Sequence, residues 1–449
     1  MSSCIVHECR HKNPNKTAII SENASITYLE LDSWIQSTQI KIQKYRRISF
    51  IPFVSIESIV LIFAALRENI KICLLNHRTP SNYRKNIEDF FNPDISFNSI
   101  DDLIMLTNKN EYQSISTIQI PVEPNLYIPT SGSTAEPKIA CLSYQNFLKN
   151  AQVANRKLNF TECDKWILSL PLFHVAGISI LFRVFTACAT VTIAKDKDFF
   201  KLDGNFISLV PTQLNGMLDS SDLYKEKFKC ILMGGAPLSE RSFSKAKKLG
   251  FPIAMSYGMT ETASQVFISK TPKLINGVFY LGFPDNHCKI HLNKKRELLV
   301  RGPSVFYNYY KKKTKLKWFQ THDILKYHKT YGYAFFARSK ELFISGGENI
   351  YPEEIERHIM KCSGIDLAYV IGIENEVYGH VPTAFVHGKN YDVDEIKKYL
   401  LLNLPKYMLP VEFFKIPLHF FNDLKFSRKN LKKHLKYEKN MFVKLKKFI

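Results

Sequence analysis

The sequence predicts an α/β protein with mainly parallel sheets, followed by an antiparallel region and a compact α+β unit. Three observations carry this. Short β-rich runs alternate with longer amphipathic segments over most of the 449 residues, the pattern of strands joined by crossover helices. From about Val278 the runs become close-spaced around short turns, as in antiparallel sheets. From about Glu341 a strand–helix–strand–strand–helix order fills a stretch of about 110 residues, an ordinary domain size.

The strand-like runs are Ile48–Val54, Lys71–Leu75, Trp166–Ser169, Thr190–Ala194, Phe206–Val210 and Cys230–Met233. Ser55–Glu68, Tyr144–Leu158 and Ser239–Leu249 read as helices. The antiparallel candidates are Lys289–Leu292, Glu297–Arg301 and Tyr333–Ala337. In the last unit, Pro352–Lys361 and Val393–Leu402 read as helices, and Leu367–Ile373 and Thr383–His387 as strands. No repeat at solenoid periods is present.

Charge is the unusual feature. The 62 Lys and Arg outnumber 41 Asp and Glu, for a net +21. The excess is Lys (48, against 14 Arg), whereas Arg is the residue suited to bidentate phosphate and guanine contacts. The clusters Lys311–Lys317 and Lys425–Lys447 lack the aromatic interleaving of a single-strand-binding groove. We therefore expect solvated lysine faces and no nucleic-acid partner. The opening residues lack the apolar run of a secretory signal, and Ile48–Leu66 is too interrupted to span a bilayer. Nine scattered cysteines suit a reducing, cytoplasmic setting. Cys4, His7, Cys9 and His11 are too compact for a structural zinc site and read as a polar N-terminal arm.

Four blocks carry chemistry. Thr130–Lys138 (Thr-Ser-Gly-Ser-Thr-Ala-Glu-Pro-Lys) packs hydroxyls, a glycine and a lysine after a short apolar run and before a helical pattern. Such a loop can wrap a triphosphate, although it is not a Walker A sequence; a polar surface loop is the alternative. Ser256–Glu261 follows Gly234-Gly235-Ala236-Pro237. Its Tyr257 beside Gly258 can stack on a base, Thr260 can meet a phosphate, and Glu261 can hold Mg²⁺ through oxygen; a strand and a capped helix would use the same residues. The third block runs from Trp318 through Asp323 and Arg338 to Ser345–Glu356, where Gly346-Gly347 before Pro352-Glu353-Glu354 suggests a tight turn into a helix. The fourth is Leu424–Arg428 in the basic tail.

In this order and spacing, the blocks resemble the adenylate-forming (AMP-dependent) acyl-CoA synthetase superfamily over nearly the whole chain. The resemblance implies a large N-terminal domain, residues 1–339, of two doubly wound α/β subdomains plus a small distorted β-barrel. A small mobile α+β domain, 340–449, follows a hinge near Lys340. It implies an acid–thiol ligase that uses ATP, Mg²⁺ and CoA, first making acyl-AMP with release of pyrophosphate and then a thioester.

Carried over by position, Thr130, Ser131, Ser133, Thr134 and Lys138 would hold phosphates. Gly235, Ala236 and Pro237 would line the adenine, with Tyr257 and Gly258 beside it. Thr260 would touch the phosphates, Glu261 the metal, Asp323 the ribose, and Arg338 the ribose or phosphate. Lys425 would bridge the attacking carboxylate and the α-phosphate. Gly346 and Gly347 would line the pantetheine tunnel, and His174, Ser264 and Gln265 the acyl pocket.

The blocks Leu168–Val175, Ser208–Leu214, Phe343–Glu348, Tyr378–Pro382 and Lys425–Arg428 narrow the implied acid to 2-succinylbenzoate, an intermediate of menaquinone biosynthesis. Another aryl or short acyl acid, a carrier-protein thiol as acceptor, or a weakly active nucleotide-binding relative stays open, as does a homo-oligomer. No carrier domain with its serine arm is evident, which favours free CoA. Arg183 and the lysine-rich surface are candidates for the substrate's carboxylates. The chain departs from the usual glycine at Ala135, His322, Ala337 and Leu424, and a left-handed backbone at any of these would be strained.

Overall fold

The computed structural model describes residues 2–22, 24–107, 118–130, 137–193, 201–219, 227–312, 317–416, 428, 431–432, 435 and 444–447. An eight-stranded sheet runs in the order Ser264–Ser269, Ile253–Met259, Cys230–Met233, Phe206–Leu209, Lys165–Leu168, Thr190–Ile193, Thr17–Ile20, Ser25–Thr27. Its inner pairs are parallel and both edge pairs antiparallel. The second sheet has six strands: Asn308–Tyr309, Lys138–Leu142, Leu126–Thr130, Lys71–Leu74, Arg47–Phe50, Ile95–Phe97.

The helices Ile56–Arg67, Tyr144–Leu158 and Val175–Thr186 share one core with residues of both sheets. Burial on all sides explains why Ile56–Arg67 is nearly continuously apolar. Ser55 caps it by accepting from the Ser58 amide, which is why the preceding strand ends at Phe50 and does not reach Val54. Tyr144–Leu158 matches its expected span, with a Ser143–Asn146 capping box and left-handed Asn159 closing it. No helix among the described residues is long and apolar enough to cross a membrane.

The region expected as a distorted barrel is a four-stranded antiparallel sheet, Lys289–Leu292, Glu297–Arg301, Phe319–His328, Gly332–Arg338. The hairpin Lys273–Ile275/Val278–Tyr280 packs beside its last strand. Beyond it, a separate core forms from Phe343, Ile355, Val370, Ala384, Ile396 and Phe413. Its sheet pairs Ile365–Asn375 with Gly379–Gly388 along a long antiparallel ladder, against the helices Pro352–Ile359 and Val393–Asn403.

Three expectations need correction. The N-terminal arm is the helix Ile5–Lys12, with Ile5, Val6, His7 and Cys9 buried. Its polar residues face partners distant in sequence: His7 Nδ1 lies 3.0 Å from Asp32 Oδ2, and Cys9 is disulfide-bonded to Cys188. One pair of the nine cysteines is therefore bridged, which their scatter did not suggest. The glycine pair at 346–347 forms the expected tight turn, here closing a hairpin between Phe343–Ser345 and Glu348–Ile350, and the helix begins at Pro352 as expected. Finally, the loop after Thr130 leads into a second strand, Lys138–Leu142, and the expected helix comes after that.

Asp32 anchors the N-terminal helices. It is fully buried and accepts from Arg10 at 2.8 Å, from Gln36 at 2.9 Å, and from Arg67, itself buried. Burial pushes its carboxyl up, but Arg67, Arg10 and His7 outweigh this and hold it below its usual value. Its contribution is therefore fully present above the unfolded value of about 3.9 and is lost as pH falls through the lower folded value. Asp32→Ala leaves Arg67 buried without its carboxylate. Urea unfolding should show a loss of about 3–5 kcal/mol; a loss below about 1 kcal/mol, the scale of an exposed pair, would contradict this role.

Candidate functional site

The site forms where three structural units meet. Parallel strands Cys230–Met233 and Ile253–Met259 pair Met233 with Met255. Gly235 and Tyr257 therefore follow two residues on, beyond and at the carboxyl ends of neighbouring strands, the usual ligand edge of an α/β sheet. Gly235 has φ of 80°, a left-handed conformation that glycine adopts without strain, and Ala236 and Pro237 continue the turn. Gly258 is needed for close approach: a Cβ there would stand 1.7 Å from the Ser264 carbonyl oxygen. The strand closes in a single 3₁₀ turn, Thr260–Thr262, which places Thr260 and Glu261 on the turn that leads back into Ser264–Ser269.

Tyr257 ties this edge to the antiparallel sheet. Its hydroxyl donates to Asp323 Oδ2 at 2.6 Å, and Arg338 Nε donates to Asp323 Oδ1 at 3.1 Å. Asp323 and Arg338 face each other across paired strands. Burial pushes the Asp323 carboxyl up, while Arg338 and Tyr257 pull it back toward the ionised form. The Tyr257 ring packs between Phe267 and Phe335.

His322, where the resemblance expects glycine, has φ of 62°, so the departure carries a strain of roughly 1–2 kcal/mol. Ala337 lies in an extended strand opposite Ile324, where a methyl group fits without strain. Lys340 sits inside the turn closed by the Glu341 amide on the Arg338 carbonyl.

Thr130 and Lys138, which flank the expected phosphate loop, lie in the other sheet. Thr130 pairs with Lys138 at the loop end of a hairpin, and Thr130 Oγ1 donates to the Lys138 carbonyl at 3.3 Å. Ser131, Ser133, Thr134 and Ala135 lie outside the described residues. Lys138 and Lys340 both depress the His322 imidazole, after burial itself, and Glu261 raises Asp323. These couplings bring Lys138, Glu261, His322 and Asp323 into one electrostatic neighbourhood.

Glu261 supplies a hard oxygen donor. Its Oε1 accepts from the Tyr309 hydroxyl at 2.6 Å, and no cation among the described residues pairs with it. A single carboxylate of this kind fits Mg²⁺ whose other oxygens come from a triphosphate and water. Tyr309 had no signal in the sequence: it lies 48 residues from Glu261, and only the pairing of Asn308–Tyr309 with Lys138–Leu142 brings it in.

A second pocket wall centres on Arg183, in the last turn of Val175–Thr186. It is 3% exposed. Its Nη2 donates to Gln265 Oε1 at 2.7 Å and to Ser264 Oγ at 3.1 Å, and its guanidinium lies 5.2 Å from the Trp166 ring centre. No carboxylate among the described residues neutralises it, its Nε has no hydrogen-bond partner, and burial pulls its pKa down to about 10. Ser264 has φ of 127°, an unusual backbone stabilised by its surroundings.

The expected pocket residues Ser264 and Gln265 thus converge on Arg183. His174 caps the other end of the same helix, nine residues earlier and about 13 Å along its axis, with its ring against Phe173.

Two expected elements remain. Gly346 and Gly347 occupy an exposed hairpin turn with φ of 57° and 88°. Lys425 and Leu424 lie outside the described residues. Arg428, which ends that block, is held by Glu353 at 2.8 Å and Glu356 at 2.6 Å on the helix Pro352–Ile359.

Comparison with known proteins agrees with this geometry. Residues 94–310 match the family described as AMP-binding enzyme, and 354–418 the AMP-binding enzyme C-terminal domain. A 2-succinylbenzoate–CoA ligase of Oceanobacillus iheyensis is 31% identical over 92% of this chain and 94% of that ligase. Among solved structures, an o-succinylbenzoate CoA synthetase of Bacillus subtilis in complex with its acyl-adenylate intermediate superposes with a TM-score of 0.80. It covers 92% of this chain and 94% of its own, at 24% identity. The same enzyme in complex with ATP and magnesium ion gives a TM-score of 0.80 at 24% identity, over 92% and 96%.

Proposed function

The chain belongs to the 2-succinylbenzoate–CoA ligase family of AMP-binding enzymes, and from this premise we propose how its own residues perform that reaction. It is an AMP-forming acid–thiol ligase. A carboxylate oxygen of 2-succinylbenzoate attacks the α-phosphorus of ATP, and pyrophosphate leaves. The sulfur of CoA then attacks the acyl carbon, and AMP leaves with the oxygen that came from the acid. The product is 2-succinylbenzoyl-CoA, an intermediate on the route to menaquinone.

The chain's residues divide the work by position. Asp323, whose carboxyl burial raises above its usual value while Arg338 and Tyr257 offset part of that rise, accepts from the ribose hydroxyls. Gly235, Ala236 and Pro237 form the adenine edge with Tyr257 and Gly258. Thr130, Ser131, Ser133, Thr134, Lys138 and Thr260 hold the phosphates. Glu261 holds Mg²⁺, which when bound offsets phosphate charge. Lys425 stabilises the charge that develops as carboxylate and α-phosphate join. The hinge at Lys340 then turns the C-terminal domain, 340–449, so that Gly346 and Gly347 line the path of the pantetheine arm, where missing side chains permit close approach.

The observation that carries the substrate reading is Arg183. A buried cation without a carboxylate partner is costly and is relieved by an anionic ligand. A dicarboxylic acid leaves one carboxylate free for that contact while the other reacts. His174, Ser264 and Gln265 complete the acyl pocket, with Gln265 holding Arg183 in place.

With ATP, Mg²⁺ and 2-succinylbenzoate the protein should release pyrophosphate. Arg183→Met should raise the KM for this acid about tenfold or more, the scale of one lost charged contact, and leave the KM for ATP within about twofold. Preference for another acid by about 100-fold in kcat/KM, equal to about 2.7 kcal/mol, would overturn the substrate assignment. Lys425→Ala should abolish acyl-AMP formation but spare CoA attack on pre-made acyl-AMP. Equal loss of both steps would contradict the division of labour between the two half-reactions.

A further inference from the structure

Tyr309 belongs to no block that the sequence singles out, yet it links the two halves of the phosphate end. Its hydroxyl donates to Glu261 Oε1 at 2.6 Å. The backbone around it is pinned on both sides. The Phe306 amide donates to the Glu261 carbonyl at 2.8 Å, and the Tyr307 and Tyr310 amides donate to Cys141 and Ile139 at 2.9 and 2.8 Å. Tyr309 pairs with Ala140; Lys138, two residues earlier on the same strand, shares its face. The Lys138 ammonium lies 5.9 Å from the centre of the Tyr309 ring, and Phe306 packs edge-on against that ring at 5.0 Å.

We propose that Tyr309 is a positioning residue for the cation: its phenol fixes one oxygen of Glu261 so that the carboxylate meets a nucleotide-bound Mg²⁺ already oriented. Its ring, held against the strand that begins at Lys138, keeps the metal carboxylate and the phosphate-loop lysine in one frame. The phenol makes no contact with the reacting atoms in this assignment. The proposal rests on Glu261 as the metal ligand.

Tyr309→Phe removes one oxygen and keeps the ring contacts and the strand pairing, so the fold is retained. The probe is Mn²⁺, titrated by electron paramagnetic resonance into the protein saturated with a non-hydrolysable ATP analogue. Tyr309→Phe should weaken Mn²⁺ about fivefold to tenfold, the effect of one hydrogen bond to a charged group. Binding of the analogue in EDTA should stay within about twofold, since a dipole-fixing contact acts only on the metal-bound form. The Mg²⁺ concentration for half-maximal activity should rise in parallel, with kcat at saturating Mg²⁺ little changed. Mn²⁺ affinity within twofold of the unsubstituted protein would overturn the proposal. Glu261→Gln separates the two layers. If it weakens Mn²⁺ while Tyr309→Phe does not, the Tyr309 role alone fails. If Glu261→Gln leaves Mn²⁺ binding unchanged, the metal reading of Glu261 fails and the Tyr309 role falls with it.

Discussion

A single buried carboxylate joins the parts that must act together. Asp323 takes a 2.6 Å hydrogen bond from Tyr257, at the carboxyl edge of the eight-stranded sheet, and pairs with Arg338, in the last strand before the C-terminal core. Its position demands compromise. Burial favours the neutral acid and sets the net upward direction, while Arg338 and Tyr257 favour the anion and offset part of it. Without Arg338 and Tyr257 the carboxyl would drift toward protonation, and the nucleotide edge and the route to the hinge would lose their common anchor.

Charge is handled in two ways, and the contrast locates chemistry within a strongly basic protein. Arg67 is buried against Asp32 and closes a structural network. Arg183 is buried against neutral groups, Ser264, Gln265 and the Trp166 face, with no carboxylate paired to it among the described residues. The net charge of +21 adds a general field that attracts anionic substrates.

Much of this was legible in the residues. Cys230–Met233 and Lys289–Leu292 form strands over the expected spans, the first as a continuous apolar run and the second as a polar–apolar alternation. The order of the blocks implied the site's membership, and the strand pairings bring most of those residues together. What was not legible depended on distant partners.

The Ile5–Lys12 segment looked like a polar arm because Asp32, Phe185 and Cys188, which bury it, are far along the chain. The hairpin at Gly346–Gly347 was missed because Glu348–Ile350, polar and largely exposed, does not read as a strand. Arg183 was a weak candidate because nothing in the sequence says that its neighbours lack a carboxylate. Tyr309 was invisible because its role comes from a two-residue strand.

The central claim is that this seam activates a carboxylic acid by joining it to AMP. The direct measurement is one turnover with 2-succinylbenzoate carrying ¹⁸O in the reacting carboxylate, with ATP, Mg²⁺ and CoA, followed by mass spectrometry of the phosphate products. The account predicts one ¹⁸O atom in AMP and none in pyrophosphate, because thiol attack at the acyl carbon leaves the bridging oxygen on phosphorus. Label in orthophosphate with formation of ADP, or AMP free of label, would contradict it.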